Sequence, residues 1–262
     1  MGKVLLVGAG PGDPELLTVK AVRALERADV VLHDSLVSAA VLALISPGAQ
    51  LVDVGKRAGQ KLLTQVEINS LLVSYAENHS VVVRLKGGDP MLFGRASEEI
   101  EALRIANVPY EVVPGISAAF GAAASAGFSL TDRRTASQVL FTTFSRGDSM
   151  KSLGWREVTS DTTLAVYMPG TDYAEVAARL LDAGLRAEIP CAIVSHATRP
   201  EQQIRWSNIG ALFEEQKLPA PAILIVGRVA TQNVREIGEK VSAVSLGRLE
   251  AAEVVQQSWL KN

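Results

Sequence analysis

The sequence predicts an α/β protein made of two α/β domains. Short runs rich in Val, Ile and Leu alternate with stretches of helical spacing. Clusters of Gly, Pro and Asp follow most of these runs, as loops do at the carboxyl ends of strands. A second series of apolar runs begins after Pro114. These observations favour a mainly parallel sheet with helices, followed by a second α/β unit.

The first half of the chain accounts for five strands. Short β-branched runs lie at residues 4–7, 30–32, 51–54, 81–83 and 110–113. Residues 14–28 carry apolar side chains at helical spacing, which predicts a helix directly after the first strand and its glycine loop.

The second half accounts for four more strands and a change of domain. Strands are predicted at residues 139–142, 163–167, 192–194 and 222–226, with helix candidates at 172–181 and 208–215. The change of domain falls between residues 115 and 135. We expect an N-terminal domain at 1–118, a C-terminal domain at 119–234 and a helical C-terminal extension at 235–262.

Composition and charge exclude several kinds of partner. A formal net charge of -2 with 5% aromatic residues gives no basic, aromatic-rich face for nucleic acid and no field for acidic membranes. An anionic ligand must therefore be met by a local group of Arg and Lys. Cys191 lies in an apolar run, which favours a buried structural thiol. Without a signal-peptide pattern or an apolar run near the ~20 residues that span a bilayer, we expect a cytoplasmic protein.

The first glycine loop, Gly-Ala-Gly-Pro-Gly-Asp at residues 8–13, disfavours a dinucleotide cofactor. The dinucleotide fingerprint requires its third glycine where this chain has Asp13, and Pro11 removes a backbone donor from the loop. The loop does fit the weaker G-x-G-x-G pattern of common nucleoside-binding methyltransferases, with Asp34 spaced for a ribose contact. A tight strand-to-helix turn explains the same residues equally well.

The second glycine loop, Lys-Gly-Gly-Asp-Pro at residues 86–90, is more informative. Its two glycines let a ligand approach the main chain, while the acid and the proline define how the chain leaves the strand. In isolation such a stretch is more often an ordinary turn. We interpret it as part of a cofactor site because of its neighbours along the chain.

Five segments, residues 8–18, 33–38, 54–57, 84–95 and 113–116, resemble the tetrapyrrole methylase family, and most closely its members that methylate uroporphyrinogen III. The similarity runs almost without gaps from residue 1 to about 135 and more loosely to about 232. It implies two α/β domains of the class III methyltransferase type, with S-adenosyl-L-methionine in the cleft between them and S-adenosyl-L-homocysteine as its product. It also implies a homodimer and no metal. Because this fold differs from that of the common methyltransferases, the resemblance makes the G-x-G-x-G interpretation of the first glycine loop less favoured.

The resemblance also implies a set of cofactor contacts and a substrate. The positions that match the family's cofactor-binding residues are Pro11, Gly87, Gly88, Asp89, Leu92, Ser117, Ala118, Met168 and Ala197. The implied substrate is uroporphyrinogen III, methylated at C2 and C7 to give precorrin-2 for sirohaem, cobalamin or haem d1 synthesis.

Five further positions match residues with proposed roles at the substrate. The resemblance makes Asp34 the proton acceptor and Lys56 the proton donor, and it assigns Arg95, Glu98 and Arg133 to binding the macrocycle. Guanidinium groups pair bidentately with carboxylates, so the two arginines suit the eight carboxylate arms of this substrate. Lys56 could equally anchor a carboxylate, since Lys titrates far above neutral pH. Glu98 could instead form a salt bridge at the start of a helix.

The chain departs from the family pattern in three places. It has Thr-Phe-Ser at residues 143–145 where Thr-Gly-His is common, Ala-Ser at 96–97 where Gly-Gly is usual, and Asp132 where His or Asn is frequent. Each change could reshape the macrocycle pocket without altering the cofactor loop. Two alternative functions stay open: a sister methyltransferase acting on a later corrinoid precursor, and a non-catalytic sensor of S-adenosylmethionine or a tetrapyrrole.

Overall fold

A computed structural model describes residues 1–55, 63–144, 158–159, 161–170 and 173–231. These residues form two five-stranded sheets with helices packed against them. The described segments contain no helix long and apolar enough to cross a membrane.

The first sheet is entirely parallel and has the strand order β3-β2-β4-β1-β5. Because parallel strands run the same way, the loops that follow them meet at one edge of the sheet. Both faces are buried, with Val7 and Leu85 on one side and Val4 and Val82 on the other. The elements are β1 (Lys3–Gly8), α1 (Val19–Glu26), β2 (Val30–His33), α2 (Ala39–Leu42), β3 (Gln50–Asp53), α3 (Gln65–Asn78), β4 (Val81–Lys86), α4 (Ala96–Ile105) and β5 (Tyr110–Val113).

The second sheet is mixed, with the order β6-β7-β10-β8-β9. Only the β6–β7 pair is parallel; β7, β10, β8 and β9 pair antiparallel. The elements are α5 (Ala118–Ala126), β6 (Gln138–Thr143), β7 (Thr162–Tyr167), α6 (Tyr173–Asp182), β8 (Pro190–Ser195), β9 (Gln203–Asn208) and β10 (Ala222–Val226). The α/β class is confirmed, but the second unit does not repeat the parallel topology of the first.

The helix predicted over residues 14–28 is interrupted. Pro14–Leu16 forms a single 3-10 turn, and α1 begins only at Val19. The reason is local: the Thr18 hydroxyl accepts a hydrogen bond from the Ala21 N–H at 3.1 Å, which makes Thr18 the N-cap of the helix. The apolar spacing of the sequence continues through this break and so conceals it.

The prediction of a helix over residues 208–215 is wrong. The chain there forms only a 3-10 turn, Ala211–Phe213, after the Asn208 side chain accepts a hydrogen bond from the Ala211 N–H at 2.9 Å. The preceding strand β9 was not predicted. It pairs with β8 as a hairpin and packs Ile204 and Trp206 against one face of the second sheet.

Helix α5 follows the last strand of the first sheet but packs against the second. Its residues Ala119 and Ala122 belong to the same apolar cluster as Ala165, Val194 and Ile223. The chain therefore passes from one sheet to the other immediately after β5, and the loop before α5 lies between the two.

Two predictions about single side chains have clear outcomes. Cys191 is buried, and its burial raises the pKa of the thiol to about 12, which confirms a structural rather than a nucleophilic cysteine. Phe144 is 4% exposed and belongs to the core around α6, with the Arg179 guanidinium 4.5 Å from its ring centre. This departure from the family pattern therefore fills the second core and does not line the cavity described below.

Candidate active site

Three loops that follow β1, β4 and β5 are joined by hydrogen bonds at the carboxyl edge of the first sheet. Gly10 and Gly88 exchange two backbone hydrogen bonds, of 3.2 and 2.8 Å. The Asp89 carboxylate accepts from the Gly115 N–H at 2.9 Å and from the Met91 N–H at 2.8 Å. Asp89 therefore fixes its own loop and ties it to the loop after β5.

The main chains of these loops approach one another so closely that no side chain would fit between them, and glycine makes this contact possible. A Cβ placed on Gly115 would lie 2.3 Å from the Gly88 carbonyl oxygen and 2.8 Å from the Gly8 Cα. Distances this short are not tolerated between a Cβ and backbone atoms. The three loops thus touch through their backbones, which leaves their other surfaces to form the wall of a cavity.

A cavity of about 460 Å³ lies between these loops and the second sheet. This volume is within the range of small-molecule sites, and its wall is largely apolar with a few charged groups. First-sheet loops contribute Gly10, Pro11, Asp34, Leu36, Lys86, Gly87, Gly88, Asp89, Leu92, Phe93, Gly94, Ser117 and Ala118, and the second half contributes Tyr167, Met168, Pro169, Gly170, Val194, Ala197, Arg199, Lys217, Leu218, Ala220, Pro221, Ala222 and Ile223.

The cavity brings together most of the residues singled out from the sequence. All nine expected cofactor positions line it, and so does Asp34. Three of the expected substrate residues, Arg95, Glu98 and Arg133, do not line it. Lys56 lies outside the described residues.

Arg95 and Glu98 form an ion pair at the start of α4. Two hydrogen bonds of 2.7 Å join the guanidinium of Arg95 to the two carboxylate oxygens of Glu98. The hydrogen bond from Arg95 is the main reason why the pKa of Glu98 is lowered. Arg95 directly follows Phe93 and Gly94 of the cavity wall, which puts this exposed pair beside the cavity. The salt bridge considered for Glu98 is thus present.

Arg133 lies in the turn between α5 and β6. Its side chain is exposed, whereas the neighbouring Arg134 is tied to Asp132 by a 2.7 Å ion pair. This ion pair neutralises the Asp132 carboxylate. Asp132 is the third position at which the chain departs from the family pattern. Arg133 is therefore open to an anionic group that approaches from solvent.

Tyr167 connects the two halves of the cavity wall and was not singled out from the sequence. Its hydroxyl forms a short hydrogen bond with the Ser117 hydroxyl and accepts from the Ala119 N–H at 3.2 Å. Its ring packs on Phe93 with 5.0 Å between ring centres. Burial raises the pKa of the Tyr167 phenol, which therefore stays protonated. The sequence offered one indication of this role: Tyr167 is an aromatic residue with a hydroxyl group and lies at the carboxyl end of a predicted strand.

Several residues of the second-sheet loops have left-handed backbone conformations. Met168 has φ 49°, His196 has φ 47° and Thr198 has φ 68°. Such conformations cost about 1–3 kcal/mol each outside glycine and are commonly found at ligand sites. Met168 and Ala197, which both line the cavity, are presented by these strained turns.

Arg199 joins the second-sheet loop to the first half of the chain. Its guanidinium Nη2 donates to the Leu36 carbonyl at 2.5 Å. Its aliphatic stem occupies the space beside Gly12, where a Cβ would lie 2.6 Å from Arg199 Cγ. Next to it, the Thr198 hydroxyl accepts from the Asp13 N–H at 3.2 Å. The loop that carries Ala197 is therefore anchored to the loop that carries Asp34.

We expect Arg199→Met to weaken binding of S-adenosylhomocysteine by about 10-fold, because methionine keeps the stem but loses the hydrogen bond that holds the two loops together. Isothermal titration calorimetry measures this affinity. Arg186→Met, an exposed arginine away from the cavity, is the matched control and should bind as wild type does. Equal affinities for all three proteins would show that the Arg199 contact does not shape the cavity.

The cavity wall suits the cofactor that the family resemblance implies. A nucleoside with an amino-acid chain needs apolar surface for its base and close main-chain groups for its polar parts. The wall supplies the first through Pro11, Leu92 and Met168, and the second through Gly87 and Gly88. A Cβ on Gly88 would lie 3.7 Å from the Ala118 N, which is ordinary van der Waals contact, so the surroundings of this glycine are not crowded.

Known proteins are similar to this chain in both sequence and structure. The chain is 46% identical to the uroporphyrinogen-III C-methyltransferase of Paracoccus denitrificans over 235 residues, covering 88% of this chain and 82% of that protein. It superimposes on the uroporphyrin III C-methyl transferase of Thermus thermophilus with a TM-score of 0.77 at 40% identity, covering 87% of this chain and 98% of that one. The Thermus enzyme has also been solved in complex with S-adenyl homocysteine.

Other relatives are longer proteins. The siroheme synthase of Actinobacillus pleuropneumoniae is 46% identical over 231 residues, which cover 87% of this chain but only 48% of that protein. The chain thus spans about half the length of the siroheme synthases that it matches. The family model for tetrapyrrole (corrin/porphyrin) methylases matches residues 3–212. With this match over most of its length, the chain belongs to the tetrapyrrole methylase family.

Proposed function

We propose that this chain transfers methyl groups from S-adenosylmethionine to C2 and C7 of uroporphyrinogen III, giving precorrin-2 and S-adenosylhomocysteine. The observation that carries the proposal is the cavity between the two sheets, lined by all nine expected cofactor positions and by Asp34. The identities of 46% and 40% to methyltransferases named for uroporphyrinogen or uroporphyrin III support the substrate.

In this proposal the glycine loops and the second-sheet turns hold the cofactor in one orientation. When bound, S-adenosylmethionine supplies an electrophilic methyl group. The chain's contribution is to hold reactants in line, and positioning alone can supply effective molarities of about 10⁵ M or more. Main-chain contacts at Gly87 and Gly88 and the fixed Asp89 loop suit that role, because the backbone there is anchored by hydrogen bonds.

We assign the proton transfer that follows carbon attack to Asp34. A pyrrole carbon that accepts a methyl group becomes quaternary and leaves its ring positively charged, and loss of a proton from a neighbouring methylene bridge neutralises that charge. Asp34 lines the cavity and its side chain is 28% exposed, so it is within reach of a ligand there. Lys56 remains a proposed proton donor or carboxylate anchor.

We assign recognition of the carboxylate arms to Arg95 and Arg133. Both guanidiniums are exposed outside the cavity, as expected for groups that meet a macrocycle larger than the cavity itself. Arg95 is orientated by its ion pair with Glu98, which makes Glu98 a supporting residue. The family resemblance and the exposure of the two side chains support these roles.

The direct test is turnover under anaerobic conditions. The purified chain is incubated with uroporphyrinogen III and S-adenosylmethionine. We expect precorrin-2 and two molecules of S-adenosylhomocysteine for each tetrapyrrole molecule. Omission of the tetrapyrrole is the control and should leave the cofactor unconsumed. Absence of turnover with S-adenosylhomocysteine still bound would contradict the proposal and favour a later corrinoid precursor as substrate, or a sensor.

The division of the chain also remains a proposal. We propose the boundary at residues 118 and 119, because α5 packs against the second sheet although it follows β5 directly. The proposed extension at 235–262 lies outside the described residues. The homodimer and the cytoplasmic location remain predictions from the family resemblance and the composition.

A further inference from the structure

Four charged side chains form a continuous chain of ion pairs that runs from the cavity wall into the protein. Arg84 and Lys86 lie on β4, Glu99 on α4, and Asp34 directly follows β2. Arg84, Lys86 and Glu99 are at most 3% exposed. Asp34 and Lys86 line the cavity, whereas Arg84 and Glu99 do not. Charged groups are rarely buried to this degree without a role or a full set of partners.

Arg84 contacts both carboxylates of this chain. Its Nε donates to Glu99 Oε1 at 2.9 Å and its Nη2 donates to Asp34 Oδ1 at 2.5 Å. The remaining nitrogen, Nη1, is 3.5 Å from the Leu32 carbonyl and 3.4 Å from the Leu85 carbonyl. A planar guanidinium held at three sides cannot rotate, so it fixes the carboxylate to which it donates.

Glu99 binds both Arg84 and Lys86. One oxygen, Oε1, accepts from Arg84 Nε and also from Lys86 Nζ at 2.9 Å. Its other oxygen is buried and has no hydrogen-bond partner among the described residues. The three buried groups carry two positive charges and one negative charge, and Asp34 supplies the second negative charge.

The arrangement leaves one oxygen of Asp34 available. Arg84 takes Oδ1, and within the described parts of the chain Oδ2 carries no hydrogen bond. The main chain of Asp34 is also fixed, since its N–H donates to the Leu85 carbonyl at 3.2 Å and its carbonyl accepts from the Val37 N–H at 3.2 Å. The residue is thus held at three points with one acceptor atom left over.

We propose that Arg84, anchored by Glu99, is a positioning residue that orientates the Asp34 carboxylate for proton transfer. This inference rests on the proposed function. In the step concerned, a C–H bond of a methylene bridge next to the methylated ring breaks, its electron pair forms a C=C bond that neutralises the cationic ring, and the proton moves to Asp34 Oδ2. The carboxylate becomes a neutral carboxylic acid.

Orientation matters more than base strength in this step. The proton leaves a positively charged macrocycle and therefore needs no strong base. What limits the step is the distance and direction between the acceptor oxygen and the C–H bond. The rigid Arg84 guanidinium binds Asp34 Oδ1, leaves Oδ2 free within the described part of the chain, and so fixes the direction in which Oδ2 points.

The test is a double-mutant cycle with Asp34→Asn and Arg84→Lys. Lysine retains a positive charge beside Glu99 but cannot span both carboxylates. We expect Arg84→Lys to lower kcat by about 10-fold or more, with KM for uroporphyrinogen III and affinity for S-adenosylhomocysteine within about two-fold of wild type. In the Asp34→Asn background the same substitution should have no further effect on kcat, because the group it positions is already lost.

Two further variants separate positioning from folding. Glu99→Gln keeps the side-chain volume but removes the charge that anchors Arg84, and we expect a smaller loss of kcat that also disappears in the Asp34→Asn background. Arg104→Lys changes an exposed arginine on α4 outside the cavity and should leave kcat unchanged. Thermal melting of each protein shows whether it is folded at the assay temperature.

The outcomes are distinguishable. Loss of kcat by Arg84→Lys that is equal in the wild-type and Asp34→Asn backgrounds overturns the inference, as does a parallel loss of cofactor affinity. If Arg84→Lys does not fold, the Glu99→Gln cycle decides by the same criterion. A wild-type chain without turnover overturns the proposed function and this inference with it, whereas normal wild-type turnover with independent effects overturns only the inference.

Discussion

Gly115→Ala is expected to lower affinity for S-adenosylhomocysteine by about 100-fold or more. The added methyl group would lie 2.3 Å from the Gly88 carbonyl oxygen and 2.8 Å from the Gly8 Cα, so one of the three loops must move. Any such shift disturbs the Gly115 N–H bond to Asp89 and the Gly10–Gly88 pair together. The affinity is measured by calorimetry on the purified protein.

Gly48→Ala is the matched control for this substitution. A Cβ on Gly48 would meet no atom within 4 Å, and Gly48 is not part of the cavity wall. It should bind as wild type does. The Gly115 variant should also melt at a lower temperature, since overpacking costs about 1–3 kcal/mol. Wild-type affinity in Gly115→Ala would mean that the loops can separate without affecting the site, contrary to the packing described above.

Asp34→Asn is expected to lower kcat by about 10²–10⁴-fold, the usual contribution of general acid–base catalysis. Asparagine matches aspartate in shape and can still accept from Arg84 through its carbonyl oxygen, but it cannot take up the proton. We therefore expect KM for the tetrapyrrole and affinity for the cofactor to change little. Single-turnover kinetics with the cofactor prebound isolates this step from binding and release.

The control for this variant is Asp182→Asn. Asp182 is the last residue of α6 and does not line the cavity, so its loss of charge should leave kcat unchanged. If Asp34→Asn turned over at the wild-type rate, the proton would have to leave to another group or to solvent, and the assignment of Asp34 would be abandoned. A large rise in KM with normal kcat would instead indicate that Asp34 binds substrate.

The parallel sheet could be predicted from sequence because its strands are buried on both faces. Such strands appear as continuous apolar runs, as at Val81 to Val83, and most of them are followed by a loop that contains glycine. Strand β9 carries Gln203, Arg205 and Ser207 on alternate positions and lies at a sheet edge. Its pairing depends on the hairpin with β8, which periodicity does not reveal.

The cofactor wall was predictable to a similar extent and for a different reason. Its residues lie in short motifs whose order along the chain carries the family resemblance. Tyr167 and Arg199 were missed because each acts through a partner far away in sequence: Tyr167 meets Ser117, and Arg199 meets Leu36. Arg84 was missed because a charged residue inside an apolar strand has no local partner, and both its carboxylates come from other elements.

The backbone contacts among the three glycine loops also bear on protein engineering. Where side chains line a pocket, a harmful substitution can be repaired by resizing a neighbour. A Cβ on Gly8 or Gly115 would clash with backbone atoms, which cannot be resized, so libraries that vary these two positions should yield few active members. Attempts to redirect the proposed methylation to other rings are better aimed at exposed positions such as Arg133, which lies outside these loops.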